Sequence, residues 1–107
     1  MPQAALLTSA PARRSAIIAA EQVLAALARH YRVTPADVTA HYKGKRISAI
    51  RQVGMYVSVA LGNSLPATGK AFHRHHTTVL HAVRTVKRNQ RLLGEAGLVM
   101  GRMGAGP

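Results

Sequence analysis

Residues 64–82 read SLPATGKAFHRHHTTVLHA, and the architecture turns on this stretch. Ser64-Leu65-Pro66 opens a short helix that reaches Phe72. After a break at His73 to His75, a longer helix is predicted from about His76 to Leu92, with Val79, Leu80, Val83 and Val86 facing inward. Two helices split by a three-residue turn, the second opening with polar and basic residues, make a helix-turn-helix pattern. In such a pair the first helix braces the second so that its N-terminal turn can enter the major groove. The reading surface would be Arg74, His75, His76, Thr77, Thr78 and His81. Arginine can fork onto guanine, a threonine methyl can pack on the thymine methyl, and imidazoles can donate to base edges or phosphates. The plainer alternative is a helical hairpin whose polar face is only solvated.

Upstream, residues 15–31 repeat apolar side chains at three and four, through Ile17, Ala20, Leu24, Leu27 and Tyr31, which predicts an amphipathic helix. Thr34-Pro35-Ala36-Asp37 is a second helix start: the Thr34 hydroxyl can accept from the Asp37 N–H, and Asp37 suits the positive helix end. That helix is expected to end near Ala40. The basic segment His41 to Arg46 reads as a loop around Gly44, after which Ser48 would cap a third helix running to about Leu61. Its buried stripe would be Ile50, Val53, Val57 and Leu61, with Gly62-Asn63 ending it. Residues 1–14 have no sustained period and read as a flexible arm, residues 15–92 as the helical domain, and residues 93–107 as a disordered glycine-rich tail. No stretch alternates as a strand would. The fold class is therefore all-α, a compact helical domain.

Fifteen Lys and Arg against three Asp and Glu give the 107-residue chain a formal net charge of +12. The three acids are Glu21, Asp37 and Glu95, so the span from Thr39 to Gly94 is wholly free of carboxylate side chains. A field this one-sided points to a polyanionic partner, because ordinary soluble surfaces mix both signs. Nucleic acid leads. An acidic lipid surface is disfavoured, since the basic residues are spread over several segments instead of lining one helix.

Other chemistries fare worse. The chain contains no cysteine, which excludes disulfides and thiolate metal sites. His73, His75, His76 and His81 lack the three- or four-residue alignment and the nearby carboxylate that a metal site would need, so no metal is expected. Residues 64–71 mimic a phosphate-binding loop only superficially, with Pro66 removing an N–H from the would-be cradle. Three scattered acids offer no acid–base pair, so an enzyme is not expected. No apolar run is long enough for a membrane span.

Arg51-Gln52, Met55-Tyr56, Ser64-Leu65-Pro66, Gly69, Ala71-Phe72 and above all His76-Thr77-Thr78-Val79-Leu80-His81-Ala82 resemble the C-terminal DNA-binding domain of the bacterial chromosomal replication initiator DnaA. The likeness runs from about Glu21 to Leu92 and includes the helix start at Val33 to Val38. The resemblance implies an all-helical, Trp-repressor-like helix-turn-helix that binds duplex DNA at short A/T-rich boxes. By position it implies that His76, Thr77 and Thr78 read bases, with His75 preceding them. Arg74 and His81 would hold phosphates, with Arg51 and Gln52 on the backbone nearby. Lys43 would stand where the family places a minor-groove arginine, flanked by Lys45 and Arg46 on the backbone or in the minor groove. The chain departs from the family in four places: His75 replaces a usual aspartate, a turn glycine is missing, one residue is missing before Ser64, and Val59 replaces a basic residue.

The expected function is sequence-specific binding of double-stranded DNA, as a transcriptional regulator or a regulator of replication initiation at DnaA-box-like sites. No nucleotide-binding module, cofactor, nucleotide or membrane partner is expected. The reading head would stand alone in the cytoplasm, on the nucleoid of a bacterium or its phage, as a monomer or weak homodimer. Two rivals are an architectural protein that coats DNA by charge and an RNA-binding module. The second is weakened by a shortage of aromatic side chains for base stacking.

Overall fold

The computed structural model describes residues 18–41 and 44–104. Among the described residues six helices follow in order: α1 (Ala20–Tyr31), α2 (Pro35–Thr39), α3 (Gly44–Ala60), α4 (Leu65–Phe72), α5 (His76–Lys87) and α6 (Gln90–Arg102). Among the described residues there is no strand. The all-α expectation therefore holds.

Helix α3 is the axle, in contact with all five other helices. It buries Ile47, Ile50, Val53, Met55 and Val57 together with Arg51, Gly54 and Ser58, so burial runs round most of its circumference. The stripe expected from sequence names only part of that surface, and Leu61 is half-buried. Gly54 is what lets two neighbours close on α3: a Cβ there would stand 2.4 Å from Leu27 Cδ2 and 2.8 Å from Phe72 Cε2. Both of those side chains are fully buried. Beside them, Ser58 Oγ and Thr68 Oγ1 share a buried 2.6 Å hydrogen bond that ties α3 to α4. Each satisfies the other where no solvent reaches.

The ends of the elements follow local chemistry. Thr34 Oγ1 accepts from Asp37 N at 3.0 Å while Thr34 N donates to Asp37 Oδ2 at 3.2 Å, as the sequence signal required. Ser64 Oγ likewise accepts from Ala67 N. Helix α1 begins at Ala20, later than the periodicity implied, and buries Ala20, Val23, Leu24, Leu27 and Ala28. Tyr31, expected in its stripe, is half-buried, and Ile17 lies outside the described residues.

Three expectations are corrected. Helix α3 starts at Gly44, not at a Ser48 cap, so Lys45 and Arg46 are helical. Burial of Ile47, in register with Ile50, extends the helix forward by a turn. The helix after the turn stops at Lys87, because Asn89 caps a new one by accepting from Leu92 N at 3.1 Å. Finally, residues 93–102 are helical where a disordered tail was expected. Leu92, Ala96 and Val99 recur at four and three and are buried against the domain, with Met100 and Met103 packed beside them. The glycines that suggested disorder, Gly94, Gly97 and Gly101, all look into open space. A bond of 2.6 Å from the Tyr31 hydroxyl to Glu95 Oε1 fastens α6 to α1. The expected arm at 1–14 and residues 105–107 of the expected tail fall outside the described residues.

Candidate nucleic-acid interface

Helices α4 and α5 make the helix-turn-helix. His73 closes α4 with φ 57°, a left-handed backbone usually left to glycine, and Arg74 N then donates to Gly69 O at 2.8 Å. This brings Arg74 O against Gly69, where a Cβ would be 2.4 Å away. Val79, Ala82, Val83 and Val86 bury the inner face of α5, whereas Leu80, expected among them, is half-buried. The first turn of α5 is thereby held with its outer side in solvent.

His75 is the N-cap of α5. Its Nδ1 accepts from Thr77 N at 3.2 Å and lies 2.8 Å from Thr77 Oγ1. A backbone amide can only donate, so Nδ1 is the acceptor of this cap. The rings of His75 and His76 lie 4.3 Å apart between centroids. His75, His76, Thr77 and Thr78 are all exposed, and His81 follows on the same face four residues after Thr77. These five, singled out from sequence, form one continuous surface.

The arginines behave differently. Arg51 is buried, 7 % exposed, and its Nε donates to Val38 O at 2.6 Å and a terminal nitrogen to Ala40 O at 3.1 Å. Burial lowers its pKa from the ordinary arginine value, and the charge of Arg74 adds to the effect. Arg74 is half-buried and donates to Ala40 O at 2.6 Å, Thr39 O at 3.1 Å and His73 O at 2.9 Å. Neither guanidinium is simply turned outward. Gln52 is half-buried. Lys45 and Arg46 are exposed and line a cleft with Tyr31, Ala49, Ile50, Arg91 and Glu95, where Arg46 donates to Tyr31 O at 3.4 Å. The structure thus places them against α1 and α6. Lys43 lies outside the described residues.

Sequence reasoning left three exposed cations of α5 and its end out of the site: Arg84, Lys87 and Arg88. Arg84 follows His81 by three and Arg88 follows Arg84 by four, so the exposed face continues as a basic one. That spacing was readable once the helix was placed. Among the described residues no three His, Asp or Glu side chains gather as a metal would require, and no helix is long and apolar enough to cross a membrane.

A buried-base, exposed-tip helix after a tight turn, in an acid-free basic segment, defines a DNA-binding helix-turn-helix domain. The family model described as the bacterial DnaA protein helix-turn-helix matches residues 20–86, from the first residue of α1 to the last turn of α5. The chain belongs to that family. Chromosomal replication initiator protein DnaA of Bartonella quintana is 42% identical over 69 residues, covering 63% of this chain and 14% of the relative. That of Limosilactobacillus fermentum is 41% identical over 75 residues, covering 64% and 17%, and that of Mesorhizobium japonicum 42% over 69 residues, covering 63% and 14%. The chain therefore spans about one seventh of the length of these curated relatives.

Proposed function

We propose that this domain binds double-stranded DNA sequence-selectively, with the first turn of α5 in the major groove, at sites related to the boxes of replication initiators. The observation that carries the reading is the surface of His75, His76, Thr77 and Thr78, polar side chains exposed at the start of a helix whose inner face is buried in the core. Charge alone would attract DNA to any basic surface. Base selection needs hydrogen-bonding and methyl groups at a helix tip, and these four residues supply them. His81, Arg84 and Arg88 continue along the same helix and would hold phosphates. In the cell the protein would then sit on the nucleoid and act on transcription or on replication initiation.

The experiment measures affinity for a selected duplex and a random one across salt concentrations. If five to seven phosphates are engaged, log affinity falls against log salt with a slope of roughly −5 to −6. Thr77→Ser with Thr78→Ser removes two methyls and keeps the hydroxyls. Selective affinity should fall by about 1–3 kcal/mol while random-duplex affinity and the slope hold. The acid-free span from Thr39 to Gly94 also favours a second reading, a coat held by charge alone. Equal affinity for every duplex, unmoved by the paired serine change, would select the coat.

A further inference from the structure

Between α1 and the end of α6 lies a cavity of about 540 Å³. Small-molecule sites usually enclose roughly 300–1,000 Å³. None of its lining residues belongs to α4 or α5, so it is separate from the reading surface. Ile18, Ala26 and Met103, all half-buried, form its apolar part. Gln22, Arg29, His30 and Arg102 form its polar part, and no carboxylate side chain lines it. Gln22, Ala26 and Arg29 recur at four and three, which sets them on one face of α1. Their polar groups have donors to spare. Gln22 Oε1 is already taken by Ala19 N at 2.9 Å, which leaves the amide NH₂. Arg29 and Arg102 are exposed, and neither guanidinium makes a hydrogen bond or ion pair among the described residues. His30 adds an orphan: its Nδ1 is the one buried side-chain nitrogen or oxygen among the described residues that lacks a hydrogen-bond partner. The ring meets that of Tyr31 edge to face at 4.8 Å. A buried polar atom left alone calls for a partner, and the cavity that His30 borders is where one can enter.

We propose that this cavity is a binding site for a small organic anion: a carboxylate held by Arg29, Arg102 and the Gln22 amide, on an apolar body seated against Ile18, Ala26 and Met103. Two guanidiniums and an amide NH₂ select a group that only accepts hydrogen bonds, and an ionised carboxylate is such a group. The apolar part favours a ligand with a hydrocarbon body over a bare inorganic anion. The site stands independently of the DNA-reading function.

The test uses three probes on the full chain without DNA: 2-naphthoate, which has both parts, 2-naphthalenemethanol, which lacks the charge, and acetate, which lacks the body. Amide NMR spectra give affinity and location together. The naphthoate should saturate a single site, with shifts concentrated at Gln22, His30 and Arg102. It should bind roughly tenfold or more tightly than either of the others. Arg29→Gln and Arg102→Gln should each weaken it by about tenfold. Lys70→Gln, which removes an exposed cation from α4, should leave it unchanged. Saturating naphthoate should also raise the Tm of the wild type, because it binds the folded chain alone. The wild-type comparison of the three probes decides even where a variant does not fold. No saturable binding, equal affinity for the alcohol or acetate, shifts spread over the whole basic surface, or a loss that Lys70→Gln matches overturns the site. So does naphthoate binding unmoved by both arginine changes, which would leave Arg29 and Arg102 as complements to the helix ends on which they stand. The DNA-reading function is decided by the duplex measurements above, and none of these outcomes moves it.

Discussion

Replacing Gly69 with alanine sets two effects of opposite sign against each other. Within a helix, alanine is favoured over glycine by about 1 kcal/mol, because glycine loses more conformational freedom on folding. Gly69 lies inside α4, so propensity alone predicts a more stable protein. Its new Cβ, however, would stand 2.4 Å from Arg74 O. Ordinary contact begins near 3.4 Å, so about 1 Å must be found. The obstructing atom is main chain, and its residue is pinned by the 2.8 Å bond from Arg74 N to Gly69 O and by its guanidinium on Ala40 O. Overpacking of this kind costs about 1–3 kcal/mol, and a stretched hydrogen bond adds about 1 kcal/mol. The net is a loss of about 1–3 kcal/mol. For a domain of this size each kcal/mol moves Tm by about 4–8 °C, so Gly69→Ala should melt roughly 5–20 °C lower. Gly97→Ala is the control, since its Cβ would meet nothing within 4 Å and only the propensity remains. It should melt about 4–8 °C higher. Thermal unfolding followed by circular dichroism separates them. If both substitutions raised Tm, the close approach of α4 to the turn would be refuted.

Ser58→Ala strands the Thr68 hydroxyl in a fully buried site and should cost about 1–3 kcal/mol by urea unfolding, whereas Ser58→Ala with Thr68→Val should return most of it. A double variant as unstable as the single one would mean that packing, not the hydroxyl pair, carries the contact. Tyr31 keeps its proton to higher pH in the folded protein than a free tyrosine does, first through burial and then through its bond to Glu95. Above about pH 10 the unfolded chain releases this proton while the folded one retains it, so stability is fully present below that pH and declines as pH rises through it. Tyr31→Phe should lower stability by about 1 kcal/mol at neutral pH and flatten the alkaline decline. An unchanged decline between pH 9 and 11 would assign it to other groups.

The turn region was legible because its signals are local. Ser64 and Thr34 act through hydrogen bonds three residues away, so sequence places those caps almost to the residue. The exposed tip of α5 was legible for a related reason: polar residues at the mouth of an apolar-striped helix have nowhere else to go. What sequence could not give were tertiary decisions. Arg51 and Arg74 are indistinguishable from surface cations until α2 ends beside them and supplies carbonyls. The carboxylate-free span argued that such cations face outward, and it overlooked the main chain as an acceptor. Helix α6 hides behind its glycines, which read as a loop unless the register of the apolar residues is followed. Leu92, Ala96 and Val99 make a buried row whose spacing is helical, and burial of that row outweighs three glycines on the far side. Lys45 and Arg46 read as loop residues in sequence because Ser48 resembles a cap, whereas the burial of Ile47 that makes them helical is a tertiary fact.

The carbonyl-held arginines have a kinetic consequence. An arginine locked by a carboxylate is neutralised in the same act, and its share of the long-range potential disappears. Arg51 and Arg74 are locked by oxygen atoms that carry only partial charge, so rigidity is gained without any loss of formal charge. The potential that draws in a polyanion therefore counts the framework cations as well as the exposed ones. Encounter should be correspondingly fast and should slow steeply with ionic strength. In this molecule the scaffold and the attractant are partly the same side chains.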